Sequence, residues 1–131
     1  MPTLVVLKAV DLELAAELND SATAKALAAR LPVKVRMSRW GDEYYGDLGR
    51  PLGAKESPDA REDMLVGEIA YWPPGNALCV FFGPTPASTG PEPVAASKVN
   101  PVGKVTADAP ALRRLGRSVE MTVSAAPREK R

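Results

Sequence analysis

Alternating apolar and polar residues dominate the first part of the chain. Between residues 12 and 18 every second position is apolar, and Glu13 and Glu17 occupy two of the positions between. A period of two places neighbouring side chains on opposite faces, so this segment is predicted to be a half-buried strand. The β-branched and apolar run 3–8 predicts a strand before it, joined by a turn at 9–11.

A helix is predicted to follow the second strand. Residues 19–21 read Asn-Asp-Ser, which favours a helix cap and argues against the alternative of one long helix over 11–31. Apolar residues then recur with helical spacing at Ala24, Leu27, Ala28 and Leu31, and Pro32 is expected to end the helix. Alternation resumes over 33–38 and predicts a third strand.

From residue 46 onward, glycine and proline divide the chain into short elements. Long loops are predicted at 46–63 and 84–98, the latter as a surface excursion or as the rim of a pocket. Strands are predicted near 64–71 and 77–82, on either side of the Pro-Pro-Gly-Asn turn at 73–76. The second half therefore contributes further short strands.

The remaining elements define the expected architecture. A strand over 102–106, a helix capped by Asp108 and a last strand over 118–124 complete the order. This order predicts a mainly β fold, a closed antiparallel barrel with two short α-helices, because closure removes exposed sheet edges. One barrel domain is expected over 1–125, followed by a flexible basic tail at 126–131.

Charge and composition narrow the possible chemistry. The 131 residues include 17 basic and 16 acidic ones, a net charge of +1 that gives no electrostatic reason to expect nucleic acid or an anionic membrane as partner. The chain has no histidine and a single cysteine, Cys79. These counts argue against the usual zinc sites, histidine-based catalysis and disulfides, so we expect no metal and no cofactor. With no signal-like or membrane-spanning apolar run, a cytoplasmic location is expected.

Short motifs, taken in order, resemble the cyclophilin fold. They are Thr23-Ala24 in the first helix, Gly41-Asp42 after the third strand, Gly75-Asn76 through Phe81-Phe82, and Gly103-Lys104-Val105-Thr106. Longer blocks at 40–45, 70–86 and 99–105 resemble a family of small bacterial and archaeal cyclophilin-like proteins of unassigned function. The resemblance implies a cyclophilin-like barrel, but a fold does not by itself assign an activity.

Prolyl isomerisation is the enzymatic alternative that this resemblance implies. Cyclophilins use an arginine and a phenylalanine that match Arg36 and Phe82, which would be the catalytic residues. A donor aimed at the prolyl nitrogen in an apolar pocket would lower the amide rotation barrier of roughly 20 kcal/mol. The sequence departs from cyclophilins where 39–40 (Arg-Trp) replaces a glutamine, where no histidine stands near Val99, and in a shorter segment between Arg36 and Gly41.

The favoured hypothesis is a groove that binds a small molecule or a peptide without catalysis. Every tryptophan, tyrosine and phenylalanine lies between residues 40 and 82, which indicates clustering in space, although aromatic rings also fill cores. The predicted ligand-binding residues are Arg36, Arg39, Trp40, Glu43, Tyr45, Tyr71, Trp72, Asn76 and Phe82. Tyr71 or Trp72 is expected at the pocket, one of Phe81 and Phe82 inside the barrel and the other outside, and Asn76 could instead bond to its turn.

The adjacent carboxylates Asp42 and Glu43 need separate roles. Consecutive strand residues face opposite ways, so they are not expected to cooperate as acid and base. One is expected to cap a turn, and Glu43 is expected in a buried ion pair with Arg36 or Arg39. Cys79 is interpreted as a small core residue.

A third hypothesis is an interaction subunit that binds a protein partner through loop 84–98. Its prolines permit an extended conformation, although no basic PxxP pattern is present. A homo-oligomer is also possible.

Overall fold

The computed structural model describes residues 3–126, and nearly half of them form β-strands. The strands are β1 Thr3–Ala9, β2 Leu12–Leu18, β3 Val33–Arg39, β4 Glu43–Asp47, β5 Arg61–Asp63, β6 Glu68–Trp72, β7 Ala77–Phe81, β8 Val94–Val105 and β9 Ser118–Ala125. The helix α1 spans Ala22–Ala28, and 3₁₀ helices span Pro73–Gly75 and Ala109–Arg114. The predicted basic tail at 126–131 lies outside the described residues from 127 onward.

The nine strands form one antiparallel sheet in the order β2-β1-β9-β3-β4-β7-β6-β8-β5. An additional pairing of β2 with β8 closes eight of them into a ring, and β5 pairs with β8 outside it. The predicted mainly β closed barrel is therefore confirmed.

Ring closure depends on a close approach of backbones at Gly103. This residue pairs with Leu18 across the β2–β8 contact, and a Cβ placed at Gly103 would lie 2.2 Å from the carbonyl oxygen of Glu17. Such a distance is far below van der Waals contact, so only glycine fits. The Gly-Lys-Val motif thus has a structural function in closing the barrel.

The barrel interior holds the larger apolar cluster. The half-buried strands predicted from alternation are confirmed in β2 and β3, whose alternate apolar side chains are buried in the interior: Leu14, Leu18, Val35 and Met37. Ser21 caps the N-terminus of α1, and its side-chain oxygen accepts from the Ala24 amide at 3.1 Å, as the cap motif predicts.

A second, smaller cluster covers the outer face of the barrel wall. Its members come from β6, β7, the segment before β6 and the first half of β8: Met64, Ala70, Cys79, Phe81, Ala95 and Val99. Phe81 belongs to this outer cluster and Phe82 to the interior one, which confirms the expected in-and-out alternation. The first half of β8 therefore lies over the barrel wall.

Both loops predicted from glycine and proline content were too long. Residues 46–47 are the end of β4, and β5 is a further strand inside the predicted loop 46–63. The predicted loop 84–98 overlaps β8, which begins at Val94. Pairing with β5, β6 and β2 makes β8 a strand despite its alanine, glycine and proline.

The second predicted α-helix is instead a 3₁₀ helix over Ala109–Arg114. Asp108 precedes it with a left-handed backbone (φ 59°), and its side chain makes no capping hydrogen bond. The segment closes its backbone with shorter 3₁₀ bonds, such as the one from Ala111 N–H to the Asp108 carbonyl.

Candidate functional site

A half-open pocket of ≈ 280 Å³ lies on the outer side of the barrel wall. Trp40, Tyr45 and Trp72 supply its aromatic surface, and Ala95 and Ala96 of β8 supply part of the opposite side. The lining is mainly apolar, and Glu43 is the only one of its residues between 3 and 126 with a carboxyl group. The pocket therefore forms where β8 leaves part of the outer face of β4 and β7 uncovered.

A tight hairpin between β3 and β4 places Trp40 and Glu43 together. Trp40 N–H donates to the Glu43 carbonyl at 2.8 Å, and Glu43 N–H donates to the Trp40 carbonyl at 3.2 Å. Residues that face each other in this way carry their side chains on the same face of the sheet. Gly41 and Asp42 form the two-residue turn between them.

Gly41 is required at this turn for two reasons. Its φ is +61°, and a Cβ there would lie 2.8 Å from both Pro86 Cδ and Thr85 Cα. The motif at 40–45 thus encodes a hairpin that packs closely against the segment after β7.

Cross-strand register explains the floor of the pocket. Tyr45 pairs with Cys79, and Cys79 pairs with Ala70 on its other side, so all three lie on the outer face. Glu43 pairs with Phe81 one step along the same face. The Cys79 thiol lies at the floor, where burial raises its pKa well above the usual value.

Glu43 is the most unusual residue of the pocket. It is 5% exposed, and its Oε1 atom has no hydrogen-bond partner in the described part of the chain. Burial raises the pKa of Glu43 to about 7, and a weaker hydrogen bond with Cys79 lowers it. The expected ion pair of Glu43 with Arg36 or Arg39 is wrong, because no ion pair among the described residues includes Glu43 and Arg39 pairs with Asp42.

Arg39 pairs instead with the neighbouring Asp42. The Arg39 Nη2 atom donates to Asp42 Oδ1 at 2.8 Å, and Arg113 donates to Asp42 Oδ2 at 2.9 Å and 3.1 Å. Arg39 also donates to the carbonyls of Gly41 and Leu115, and its guanidinium lies 5.1 Å from the Phe82 ring centroid. Arg39 therefore lies over the interior ring of Phe82 and is not part of the pocket lining.

Three further residues predicted to bind ligand are instead engaged in contacts within the fold: Phe82, Tyr71 and Asn76. Phe82 is fully buried and stacks on Tyr44 with centroids 5.5 Å apart. Tyr71 is buried in the interior cluster, and its hydroxyl donates to Asn76 Oδ1 at 2.7 Å. Asn76 has a left-handed backbone and accepts from Leu52 N–H at 3.0 Å, so it holds the turn and the following long loop.

Arg36 lies on the exposed outer side of β3, away from the pocket lining. Its backbone pairs with Glu120 of β9, the neighbouring strand on the side away from β4. Of the nine residues predicted to bind ligand, the structure brings four together, Trp40, Glu43, Tyr45 and Trp72. The other five lie elsewhere in the fold.

The sequence predicted 84–98 as a surface excursion or the rim of a pocket, but it named none of the β8 residues that line the pocket. Ala95, Ala96 and Val99 line the pocket, and Ser97 Oγ accepts from Trp72 Nε1 at 2.7 Å, which fixes the indole. Small residues carry no chemical signal in the sequence. By contrast, the hairpin at 40–43 had a signal, since Gly-Asp between two alternating segments is typical of a two-residue turn.

Across residues 3–126, the structure contains no group of three or more histidine, cysteine or acidic side chains placed to hold a metal ion. In the same part of the chain, no helix is long and apolar enough to cross a membrane.

The protein is an eight-stranded closed barrel, and its candidate pocket lies on the outer wall of that barrel. The chain belongs to the cyclophilin-like family, whose model matches residues 4–124. Its structure is similar to the solution structure of the hypothetical protein AF2241 from Archaeoglobus fulgidus, with a TM-score of 0.77, 28% sequence identity and coverage of 95% of each chain. A comparison with curated proteins finds no match.

Proposed function

We propose that the protein binds a small organic ligand, free or as a side chain of a peptide, in the pocket beside Glu43, and that it does so without catalysis. The observation that carries this proposal is the buried Glu43 carboxyl, whose Oε1 lacks a partner. It faces a pocket lined by aromatic rings.

An unpaired polar atom in an apolar setting is costly to the folded protein. A buried acceptor without a donor loses about 1–3 kcal/mol relative to one that is hydrogen-bonded. A ligand donor that reaches Glu43 Oε1 would recover this free energy, and its apolar part would cover Trp40 and Tyr45. Tyr45 is 38% exposed, so it has surface left to bury.

The pocket offers few groups for chemistry. Its titratable lining residues are Glu43, Tyr45 and Cys79, and the thiol is buried with a raised pKa, so it is a poor nucleophile. A single carboxyl without a second acid, a base or a donor pair supports binding better than catalysis.

The isomerase alternative receives less support from the geometry. Arg36 lies on the outer side of β3, whereas Phe82 is packed inside the barrel, so the two do not face one groove. An interaction role for loop 84–98 stays a prediction. Much of that segment is held by its own contacts, such as Ser88 Oγ donating to the Glu92 carbonyl at 2.7 Å.

Nuclear magnetic resonance of the ¹⁵N-labelled chain tests the proposal with three aromatic probes of different charge: indole, benzylammonium and benzoate. We expect at least one probe to shift the amide signals of Glu43, Tyr45 and Ala96. Ala96→Trp should abolish these shifts, because Ala96 is an exposed residue of the lining and a large ring there fills the pocket.

The matched control is Ala15→Trp, an exposed alanine of β2 across the barrel, which should leave the shifts unchanged. Shifts that persist in Ala96→Trp, or no shifts with any probe, would contradict binding at this pocket.

A further inference from the structure

The pocket has an unbalanced charge pattern. Glu43 is its only carboxylic acid, and no lysine or arginine contributes to its lining within the described residues. The nearest arginines of the hairpin region are engaged elsewhere, since Arg39 and Arg113 both bind Asp42 on the other face. An anionic ligand would meet a carboxyl group with no compensating cation, whereas a cationic ligand would meet its complement.

The position of the carboxyl also favours a ligand that donates hydrogen bonds. Among the described residues, Glu43 Oε1 is buried without a donor, and the backbone N–H groups of β4 and β7 beside it pair within the sheet. A protonated amine supplies several N–H donors together with a positive charge, and a charge-assisted bond to a carboxylate is stronger than a neutral one.

The aromatic rings add a second reason for a cation. Trp40, Tyr45 and Trp72 line the same pocket as the carboxyl, and Trp72 is held in place by its bond to Ser97. The negative face of an indole or phenol ring attracts an ammonium group, and tryptophan does so best. A carboxylate with three aromatic residues is a combination suited to an organic ammonium ion.

The size of the pocket sets an upper limit on the ligand. Its volume of ≈ 280 Å³ is nearly twice that of an engineered cavity of about 150 Å³ that binds benzene. A single ring or short alkyl chain that carries one ammonium group fits this space, whereas a nucleotide does not.

We propose that the ligand is an organic ammonium ion with one apolar group of about benzyl size, whose nitrogen donates to Glu43 and whose apolar part lies against Trp40, Tyr45 and Trp72. This inference rests on the proposed function, since it names the ligand class of the same pocket. The ammonium group can belong to a free amine or to a lysine side chain, and the chemistry of recognition is the same for both.

Such binding should depend on pH through Glu43. The titratable groups that face it are Tyr45 on its own strand and Cys79 on β7, while the lining residues contributed by the hairpin and by β8 are uncharged. Because burial raises the pKa of Glu43 to about 7, the carboxyl is mostly protonated at pH 6 and mostly ionised at pH 8. A cation prefers the ionised form, so its affinity should rise about tenfold between these pH values.

Isothermal titration calorimetry of the full chain with four probes tests the inference. The probes are benzylammonium, neutral benzyl alcohol, benzoate, and the lysine derivative Nα-acetyl-lysine methylamide, each at pH 6 and pH 8. We expect benzylammonium to bind at least tenfold more tightly than benzyl alcohol at pH 8, with benzoate weakest. Preference between benzylammonium and the lysine derivative distinguishes a free amine from a peptide side chain.

Glu43→Gln should reduce the affinity for benzylammonium at least tenfold at pH 8 and remove the pH dependence. The matched control, Glu13→Gln, changes an exposed glutamate of β2 across the barrel and should have no effect. The cation inference would be overturned if benzyl alcohol or benzoate bound as tightly as benzylammonium, or if Glu43→Gln bound benzylammonium as tightly as the natural chain. Either result would leave the proposal of ligand binding at the pocket unaffected. No binding by any probe, together with no amide shifts at the pocket, would overturn both.

Discussion

Glu43 and Asp42 are neighbours in sequence but have opposite environments. Asp42 accepts from two arginines, whereas Glu43 is buried with an unpartnered oxygen. The hairpin explains the difference, because Asp42 belongs to its turn, whereas Glu43 is the first residue of β4 and lies on the outer face. Separate roles for the two carboxyl groups were predicted from sequence. Which carboxyl would meet the arginines was not, since this depends on Arg113, 71 residues away.

The buried carboxyl of Glu43 should make stability depend on pH. Its pKa is about 7 in the folded protein and 4.5 in the reference state, so the folded protein holds a proton that the unfolded chain releases between these values. The protonated carboxyl therefore contributes its full stabilisation of the fold below pH 4.5, and this contribution is lost as pH rises through 7. Glu43→Gln should remove this pH dependence of the free energy of unfolding. The variant should be as stable as the natural chain near pH 4.5 and more stable by about 3 kcal/mol at pH 8.

Urea denaturation at intervals from pH 4.5 to pH 8 measures this difference. Glu13→Gln is again the matched control, because it removes an exposed carboxyl group on the far side of the barrel, and its difference from the natural chain should not vary with pH. A Glu43→Gln difference that is equally flat would show that Glu43 is not buried as described.

At the scale of elements, the long connection between β4 and β5 is held by two asparagines. Asn76 Oδ1 accepts from Leu52 N–H at 3.0 Å, and Asn100 Oδ1 accepts from Ser57 N–H at 2.9 Å. Asn100 also donates to the Lys55 carbonyl at 2.8 Å. The loop therefore packs against the barrel through amide side chains, although its composition predicts only an exposed segment.

Asn76→Gly should loosen this connection and leave the barrel folded. Glycine keeps the left-handed backbone that Asn76 adopts, so only the side-chain bonds are lost. Loss of the bonds to Leu52 and Tyr71 should cost about 2 kcal/mol in the free energy of unfolding. Trypsin cleavage after Lys55 should also become faster in native conditions.

The control for this prediction is Asn19→Gly, an exposed asparagine outside the loop that bonds to Pro101 and Ser21. It should leave the cleavage rate at Lys55 unchanged. If Asn76→Gly also leaves that rate unchanged, Asn76 does not hold the loop.

The first half of the strand β8 could not be predicted from sequence patterns. Its first half is rich in alanine, serine and lysine, and Pro101 interrupts the second half beside a register shift opposite Ile69 and Ala70. None of these features favours a strand, and proline is tolerated there because of the irregular pairing. Contacts with three other strands decide the conformation. The regular strands β2 and β3, by contrast, were predicted from local alternation, and β1 was predicted from its β-branched and apolar run.

On the scale of the whole molecule, barrel closure separates two groups of predicted site residues. Trp40, Glu43, Tyr45 and Trp72 share the outer pocket. Tyr71 and Phe82 fill the interior. The sequence indicated an aromatic cluster, but assigning each ring to a side required the register of β4, β6 and β7 and the bounds of β8.

The same separation argues against prolyl isomerase activity. An isomerase would need an arginine and an apolar surface on one side of the wall, yet Arg36 is outside and Phe82 inside. A misplacement of about 1 Å can already reduce catalysis by a hundredfold.

We therefore expect a protease-coupled assay with a proline-containing tetrapeptide to give the uncatalysed rate for the natural chain. Arg36→Ala and Lys34→Ala, which alter two exposed basic residues of β3, should give that rate as well. A rate above the uncatalysed one that falls in Arg36→Ala but not in Lys34→Ala would restore the isomerase hypothesis and assign Arg36 to it.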